Sequence, residues 1–175
     1  QEEISPDILC LGKGITGGYL AMSATVATTE IWNAFLGAGK KTFYHGHTYA
    51  GNPLAAAAAL ASLNIFEEEN TLNNVAKQSQ LLSALLADQV AEHPLVGDIR
   101  QRGLIAAIEL VADKEHKTPL DPSLATGTKV CLAAREKGVW LRPLRDTLVI
   151  MPPLSISGEQ VTQIVNALEY GLKQL

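Results

Sequence analysis

The chain has 175 residues, 47% of them hydrophobic, and a formal net charge of -4. That length suits one domain, or a small domain joined to part of a larger one, with a core that needs no staples. The mild mixed charge gives no electrostatic footprint for nucleic acid, Cys10 and Cys131 stand in no metal-ligand spacing, and no apolar run is long enough to cross a bilayer. No secretory leader or twin-arginine start is visible, and two unpaired cysteines suit a reducing compartment. A soluble, cytoplasmic protein is expected. The chain opens on Gln1-Glu2-Glu3 without an initiator Met and runs at once into an apolar segment, so it reads as a fragment with something upstream.

Asp7 to Leu11 predicts a buried strand, followed by a glycine-rich turn, Gly12 to Gly18. Ala21 to Ala27 alternates small and apolar residues and predicts a second strand. Thr28 or Thr29 can cap a short helix, Glu30 to Phe35, that ends at Gly37 and Gly39. Tyr44 to Asn52 reads as a loop. Asn52 then caps a helix with Pro53 in its first position, running to about Glu68. Its five consecutive alanines, Ala55 to Ala59, allow neighbours to approach closely.

Near Asn70 the pattern changes. Leu72 to His93 is amphipathic and helical, ended by Pro94. Strands follow at Val96 to Gln101 and Leu104 to Val111, then a polar loop, Asp113 to Pro122. A helix from Ser123 to Lys137 closes at Gly138. Val139 to Arg142 and Thr147 to Met151 predict a hairpin around Pro143 to Asp146, and Ser157 starts a last amphipathic helix. The second half therefore reads helix-β-β-helix-β-β-helix, an α+β domain with a mostly antiparallel sheet. The first half reads as the end of an α/β domain, with the boundary dividing residues 1-70 from 71-175.

Three segments carry candidate chemistry. Lys13 follows an apolar strand between Gly12 and Gly14. Desolvation there would disfavour the ammonium and make the amine a Schiff-base nucleophile, with the glycines leaving room for a flat ring. A surface lysine in a glycine turn fits the same spacing. Gly12, Gly14 and Gly17 also match G-x-G-x-x-G, but a dinucleotide site needs a helix next and an acid roughly 20 positions on. Here a strand follows, and Glu30 begins a helix.

The second segment is Tyr44-His45-Gly46-His47-Thr48-Tyr49-Ala50-Gly51-Asn52-Pro53. A threonine hydroxyl and free backbone N–H groups ahead of a helix can bind phosphate. His45 and His47 have no third ligand for a metal, and local hydrogen bonding is the plainer role for them. The third is Trp140-Leu141-Arg142-Pro143, where a guanidinium at a strand end could grip a carboxylate or serve a structural ion pair.

Together these segments resemble the class III (subgroup II) pyridoxal phosphate-dependent aminotransferases. The Lys13 turn, the His-Gly-His-Thr-Tyr-x-Gly-Asn-Pro loop, Arg102-Gly103-Leu104 to Glu109-Leu110, and Leu141-Arg142-Pro143 to Met151-Pro152-Pro153 occur in the family's order. The resemblance implies the C-terminal part of a fold-type I transferase: the end of the large α/β domain, then a small α+β domain. It implies pyridoxal 5'-phosphate as cofactor, held by Lys13 as a Schiff base, and amino transfer from a small-molecule donor to a keto acceptor. It implies that Thr48 binds the cofactor phosphate in the partner's site of a homodimer. Gly46 and His47 lie in the same loop as cofactor-side backbone, Gly46 also facing substrate, and Arg142 binds the acceptor carboxylate.

Within the family, Ile8 to Tyr19 and Arg142-Pro143 with Met151-Pro152-Pro153 most resemble the biotin-synthesis branch. That branch implies S-adenosylmethionine as donor and 8-amino-7-oxononanoate as acceptor. Other members acting on ornithine, 4-aminobutyrate or a similar ω-amine are the alternative, as is a non-catalytic fragment. Val149 stands where the branch has an aromatic residue, which reshapes the expected pocket. The family's acid for the pyridine nitrogen, its ring-stacking aromatic and its Gly-Ser phosphate contact have no counterpart here. The resemblance therefore implies that this chain is inactive alone.

Overall fold

The computed structural model describes residues 3-37 and 39-175, so the opening Gln1-Glu2 pair lies outside the described residues. Contacts divide the chain into two units, Gln1–Glu69 and Asn70–Leu175.

In the first unit, β1 (Ile8–Leu11) pairs antiparallel with β2 (Ala24–Ala27), Leu9 opposite Val26. A four-residue 3-10 turn, Lys13–Thr16, follows β1. The short helix α1 (Thr29–Ala34) is capped by the Thr28 hydroxyl, which accepts from the Ile31 amide. The long helix α2 (Pro53–Glu68) starts where Asn52 and Pro53 place it, the Asn52 side-chain Oδ1 accepting from the Leu54 and Ala55 amides. The sequence predicts a buried β1, but all four of its residues are exposed. Its hydrogen-bonded neighbour among the described residues is β2 alone, and two strands leave both faces of the ribbon open.

The second unit holds the core. Helix α3 (Thr71–Gln89) leads into β3 (Val96–Arg102) and β4 (Ile105–Asp113), antiparallel neighbours in a sheet of order β3-β4-β7-β6. A short strand, β5 (Thr118–Pro119), pairs with β4 inside the segment that composition alone suggests is a plain loop. Helix α4 (Thr126–Glu136), the hairpin β6 (Arg142–Leu144) and β7 (Thr147–Ile150), and helix α5 (Gly158–Leu172) complete it. Leu82, Leu86, Ile108, Leu148, Val161 and Leu168 are fully buried in one cluster drawn from α3, the sheet and α5. Two glycines permit that packing. A Cβ on Gly171 would lie 2.6 Å from the Val130 carbonyl oxygen, and one on Gly97 would lie 2.6 Å from a Val111 methyl.

Three boundaries differ from the sequence reading. Helix α3 stops at Gln89 rather than at Pro94, because the Val90 and Ala91 amides both turn to the Leu86 carbonyl and close the last turn. The helix expected from Ser123 is broken at Ala125, which has a left-handed φ of +48°, into a short 3-10 turn and α4. The hairpin turns at Arg145-Asp146 rather than Pro143 to Asp146, so Arg142 opens β6 instead of ending a strand.

Candidate active site

Lys13 is the first residue of the 3-10 turn and has a left-handed φ of +47°, a conformation that side chains with a Cβ rarely adopt. Its neighbours give it space. A Cβ added to Gly14 or Gly18 would meet nothing within 4 Å. Lys13, Gly14, Gly17, Gly18, Leu20 and Met22 line an open concavity of about 730 Å³. The lysine itself is exposed, so the desolvation expected from its apolar flank is not supplied by the residues around it in this unit. The dinucleotide reading fails on geometry. The glycine turn leads to an antiparallel partner strand, not to the helix a parallel βαβ crossover requires.

A second concavity, about 740 Å³, shares Leu20, Ala21 and Met22 with the first and is lined also by His47, Tyr49 and Asn52. In the Thr48 loop His47 Nδ1 accepts from the Tyr49 amide at 3.1 Å, and the Ala50 amide donates to the His47 carbonyl. His47 Nδ1 is therefore committed locally, while His45 stacks on Phe43 with ring centroids 5.3 Å apart. No group of three His, Cys, Asp or Glu able to hold a metal occurs among the described residues. The free amides expected ahead of α2 are fewer than the sequence suggests, because the Asn52 side chain caps Leu54 and Ala55. Thr48 is exposed, and its hydroxyl has no hydrogen-bond partner among the described residues, which leaves it available to an anion. Gly46 is exposed, and nothing lies within 4 Å of where its Cβ would be.

Arg142 belongs to the second unit. The register sets Arg100, Ala107, Val149 and Arg142 in one row across β3, β4, β7 and β6, on the face of the sheet away from the core. Arg100 at one end is neutralised by Asp98 at 2.7 Å and Glu109 at 2.6 Å, and the hydrogen bond from its guanidinium holds the Asp98 carboxyl below its usual range. Arg142 at the other end has no carboxylate partner among the described residues, so the ion-pair reading of it finds no support. It borders an apolar concavity of about 420 Å³ with Trp140, Leu144, Val149, Met151 and Ile164. Trp140 is held from α4 by the Arg135 guanidinium, 3.6 Å from the ring centroid, a contact no short-range pattern in the sequence reveals.

The three candidate segments thus fall in two units. The first unit carries the Lys13 amine beside a glycine-lined space and, on a separate loop, the Thr48 hydroxyl, and the second carries an unpaired guanidinium beside an apolar concavity.

The chain is 50% identical, over its whole length, to the adenosylmethionine-8-amino-7-oxononanoate aminotransferase of Aquifex aeolicus (strain VF5), of which it covers 39%. Over 95% of its length it is 52% identical to the protein of the same name from Nitratidesulfovibrio vulgaris, covering 31% of that protein. It resembles the crystal structure of the Methanocaldococcus jannaschii protein of that name with a TM-score of 0.88 at 45% identity, covering 97% of this chain and 39% of that one. An amine transaminase from an uncultivated Pseudomonas species, in its PLP-bound form, matches with a TM-score of 0.90 at 39% identity, covering 98% of this chain and 39% of that one. The chain therefore spans roughly a third to two fifths of the length of the relatives it matches. The fold class expected from the sequence, part of a fold-type I transferase, is the one found. Residues 1–172 match the family described as Aminotransferase class-III, and the chain belongs to that family.

Proposed function

We propose that this chain supplies the lysine-bearing turn and the carboxylate-binding sheet of a pyridoxal phosphate-dependent aminotransferase of biotin synthesis. The donor is S-adenosylmethionine, the acceptor 8-amino-7-oxononanoate and the product 7,8-diaminononanoate. The observation that carries the reading is Lys13: a primary amine at a strand end, beside glycines whose missing side chains leave room for a flat ring. Identity near 50% to proteins named for that reaction supports the substrate assignment.

The residues present fit the cofactor. An exposed amine suits an aldehyde, open space at Gly14 and Gly18 suits a ring, and the unpartnered Thr48 hydroxyl suits a phosphate. When bound, pyridoxal phosphate supplies the electron sink that stabilises a carbanion next to nitrogen. Lys13 would hold the group through Nζ, and its amine, when free, would be the base that carries a proton at Nζ. Thr48 serves the site of a second copy, so the working protein is a homodimer, with Gly46 and His47 as loop backbone and Gly46 facing substrate. Arg142 grips the acceptor carboxylate with its planar fork, its apolar neighbours Val149 and Met151 flanking the chain that bears it. The first unit is then the end of the cofactor domain and the second the small domain. No described helix is long and apolar enough to cross a membrane, and a cytoplasmic location is part of the proposal.

Borohydride trapping in the complete protein tests the lysine. A reduced cofactor adduct should map to Lys13 and vanish in Lys13→Ala, and an adduct that persists on another lysine removes the central assignment. A donor panel tests the substrate. Transfer from S-adenosylmethionine supports the reading, and its absence, with transfer from ornithine, 4-aminobutyrate or a simple amine, replaces it by another class III ω-aminotransferase. The likeness to an amine transaminase favours that second reading.

A further inference from the structure

We infer that Thr16 is a positioning residue for Lys13: its buried hydroxyl, bonded to the Leu20 carbonyl, locks the turn that presents the amine. The inference rests on the role proposed for Lys13.

Among the described residues of the first unit, only Thr16, Ala55 and Ala59 are buried, and Thr16 is the polar one, at 2% exposure. Its hydroxyl donates to the Leu20 carbonyl oxygen at 2.6 Å. Lys13 sits in the left-handed region, and Gly17 and Gly18 follow it there with φ of +59° and +84°. Such a backbone is held by its surroundings, since neither the lysine nor two glycines favour a single conformation.

The backbone bonds available are local. Ile15 donates to Gly12 at 3.3 Å, Gly17 to Gly14 at 3.0 Å and Tyr19 to Thr16 at 3.2 Å. Each closes one turn with a glycine within it. The side chain of Thr16 reaches further, past both glycines, and ties the turn to Leu20. Leu20 lines both the lysine concavity and the one beside His47 and Tyr49, so one hydroxyl ties the lysine turn to a residue common to both. The turn also rests close to α2, a Cβ on Gly17 coming 4.0 Å from the Ser62 hydroxyl oxygen.

Without the hydroxyl, the Leu20 carbonyl loses its donor and the two glycines regain their freedom. Lys13 Nζ then samples many positions, and productive encounter with an aldehyde becomes rarer. Thr16 itself is buried and is not among the residues that line the concavity at Lys13.

The test uses the complete protein with added pyridoxal phosphate and four variants. Thr16→Val keeps the shape and removes the hydroxyl. It should lower the equilibrium yield of the borohydride-trapped Lys13 adduct, and the visible absorbance of bound cofactor, roughly tenfold. The kcat should fall in proportion while KM for the keto acceptor stays unchanged, because Arg142 is untouched. Thr16→Ser, which keeps the hydroxyl, should restore both. A Val variant that loads cofactor and turns over like the parent overturns the inference, and so does a Ser variant as impaired as Val. If Val fails to fold by circular dichroism, Ser against Thr16→Ala decides, equal adduct yields overturning the proposal. Lys13→Ala separates the two levels: an adduct retained there sinks the role of Lys13 itself rather than that of Thr16.

Discussion

A guanidinium without a counter-charge is the residue-scale feature that most constrains function in the second unit. Arg100 and Arg142 occupy opposite ends of one row of the sheet, yet Arg100 is held by two carboxylates and Arg142 by none among the described residues. An exposed arginine costs little to leave unpaired in water, so the energetic consequence appears only when a carboxylate arrives. A bidentate, charge-assisted pair then contributes about 1.5–3 kcal/mol. Arg142→Ala in the complete protein should therefore raise KM for the keto acceptor roughly tenfold to a hundredfold, and Lys13 should still trap cofactor fully. Steady-state kinetics with unchanged KM would remove Arg142 from the site. Arg142→Lys should recover only part of the loss, because an ammonium cannot offer the parallel pair of donors. Arg142 was legible as a candidate in the sequence, since a strand-end arginine beside Trp140 and Pro143 stands out. What distinguishes it from Arg100 was not, because Glu109 meets Arg100 only through the pairing of β3 with β4.

At the scale of elements, the local signals were read correctly where they were local. Asn52-Pro53 starts α2, and Ser157 starts α5 with a capping box closed by Gln160, both visible as short motifs. Helix α4 is the contrary case. Its N-cap position is Ala125, which offers no side-chain acceptor, and the Gly127 amide is met instead by Asp146 Oδ1 at 3.0 Å. The cap thus comes from the β6-β7 turn, and no pattern around residue 125 could announce it. The close contact of Gly127 with the Arg145 backbone seats the turn there, where a side chain would not fit. This one bond couples the start of α4 to the hairpin that carries Arg142. Asp146→Ala should cost about 1 kcal/mol in chemical denaturation of the chain, the usual worth of a lost cap, with Asp146→Asn retaining most of it. An Ala variant with an unshifted midpoint would show that water serves the amide equally well. The same distinction explains β5 and the bulge at Gly97, which depend on partners supplied by β4 rather than on their own residues.

Across the whole molecule, the two units differ in how much of their stability they carry themselves. The core cluster runs from Leu82 to Leu172 and lies entirely within the second unit, with sheet and helices contributing fully buried Leu, Ile and Val. In the first unit Ile8, Val26, Trp32, Phe43, Leu54 and Leu60 are all more than half exposed, and only Thr16, Ala55 and Ala59 are buried among the described residues. Burying two alanines and a threonine cannot offset the backbone entropy of ordering such a segment, which runs to about 1–2 kcal/mol per residue. Residues 70-175 expressed alone should therefore unfold cooperatively, with a stability in the ordinary range of roughly 5–15 kcal/mol. Residues 1-69 alone should melt without a cooperative transition and bind a dye that reports exposed apolar surface. Calorimetry and dye fluorescence on the two pieces check this. A broad, non-cooperative transition in residues 70-175 would mean that the cluster around Ile108 and Leu168 needs further chain to hold it. A sharp transition in residues 1-69 would mean that the two-stranded ribbon and α2 stand by themselves, and that Lys13 keeps its turn without help from any other part of the protein.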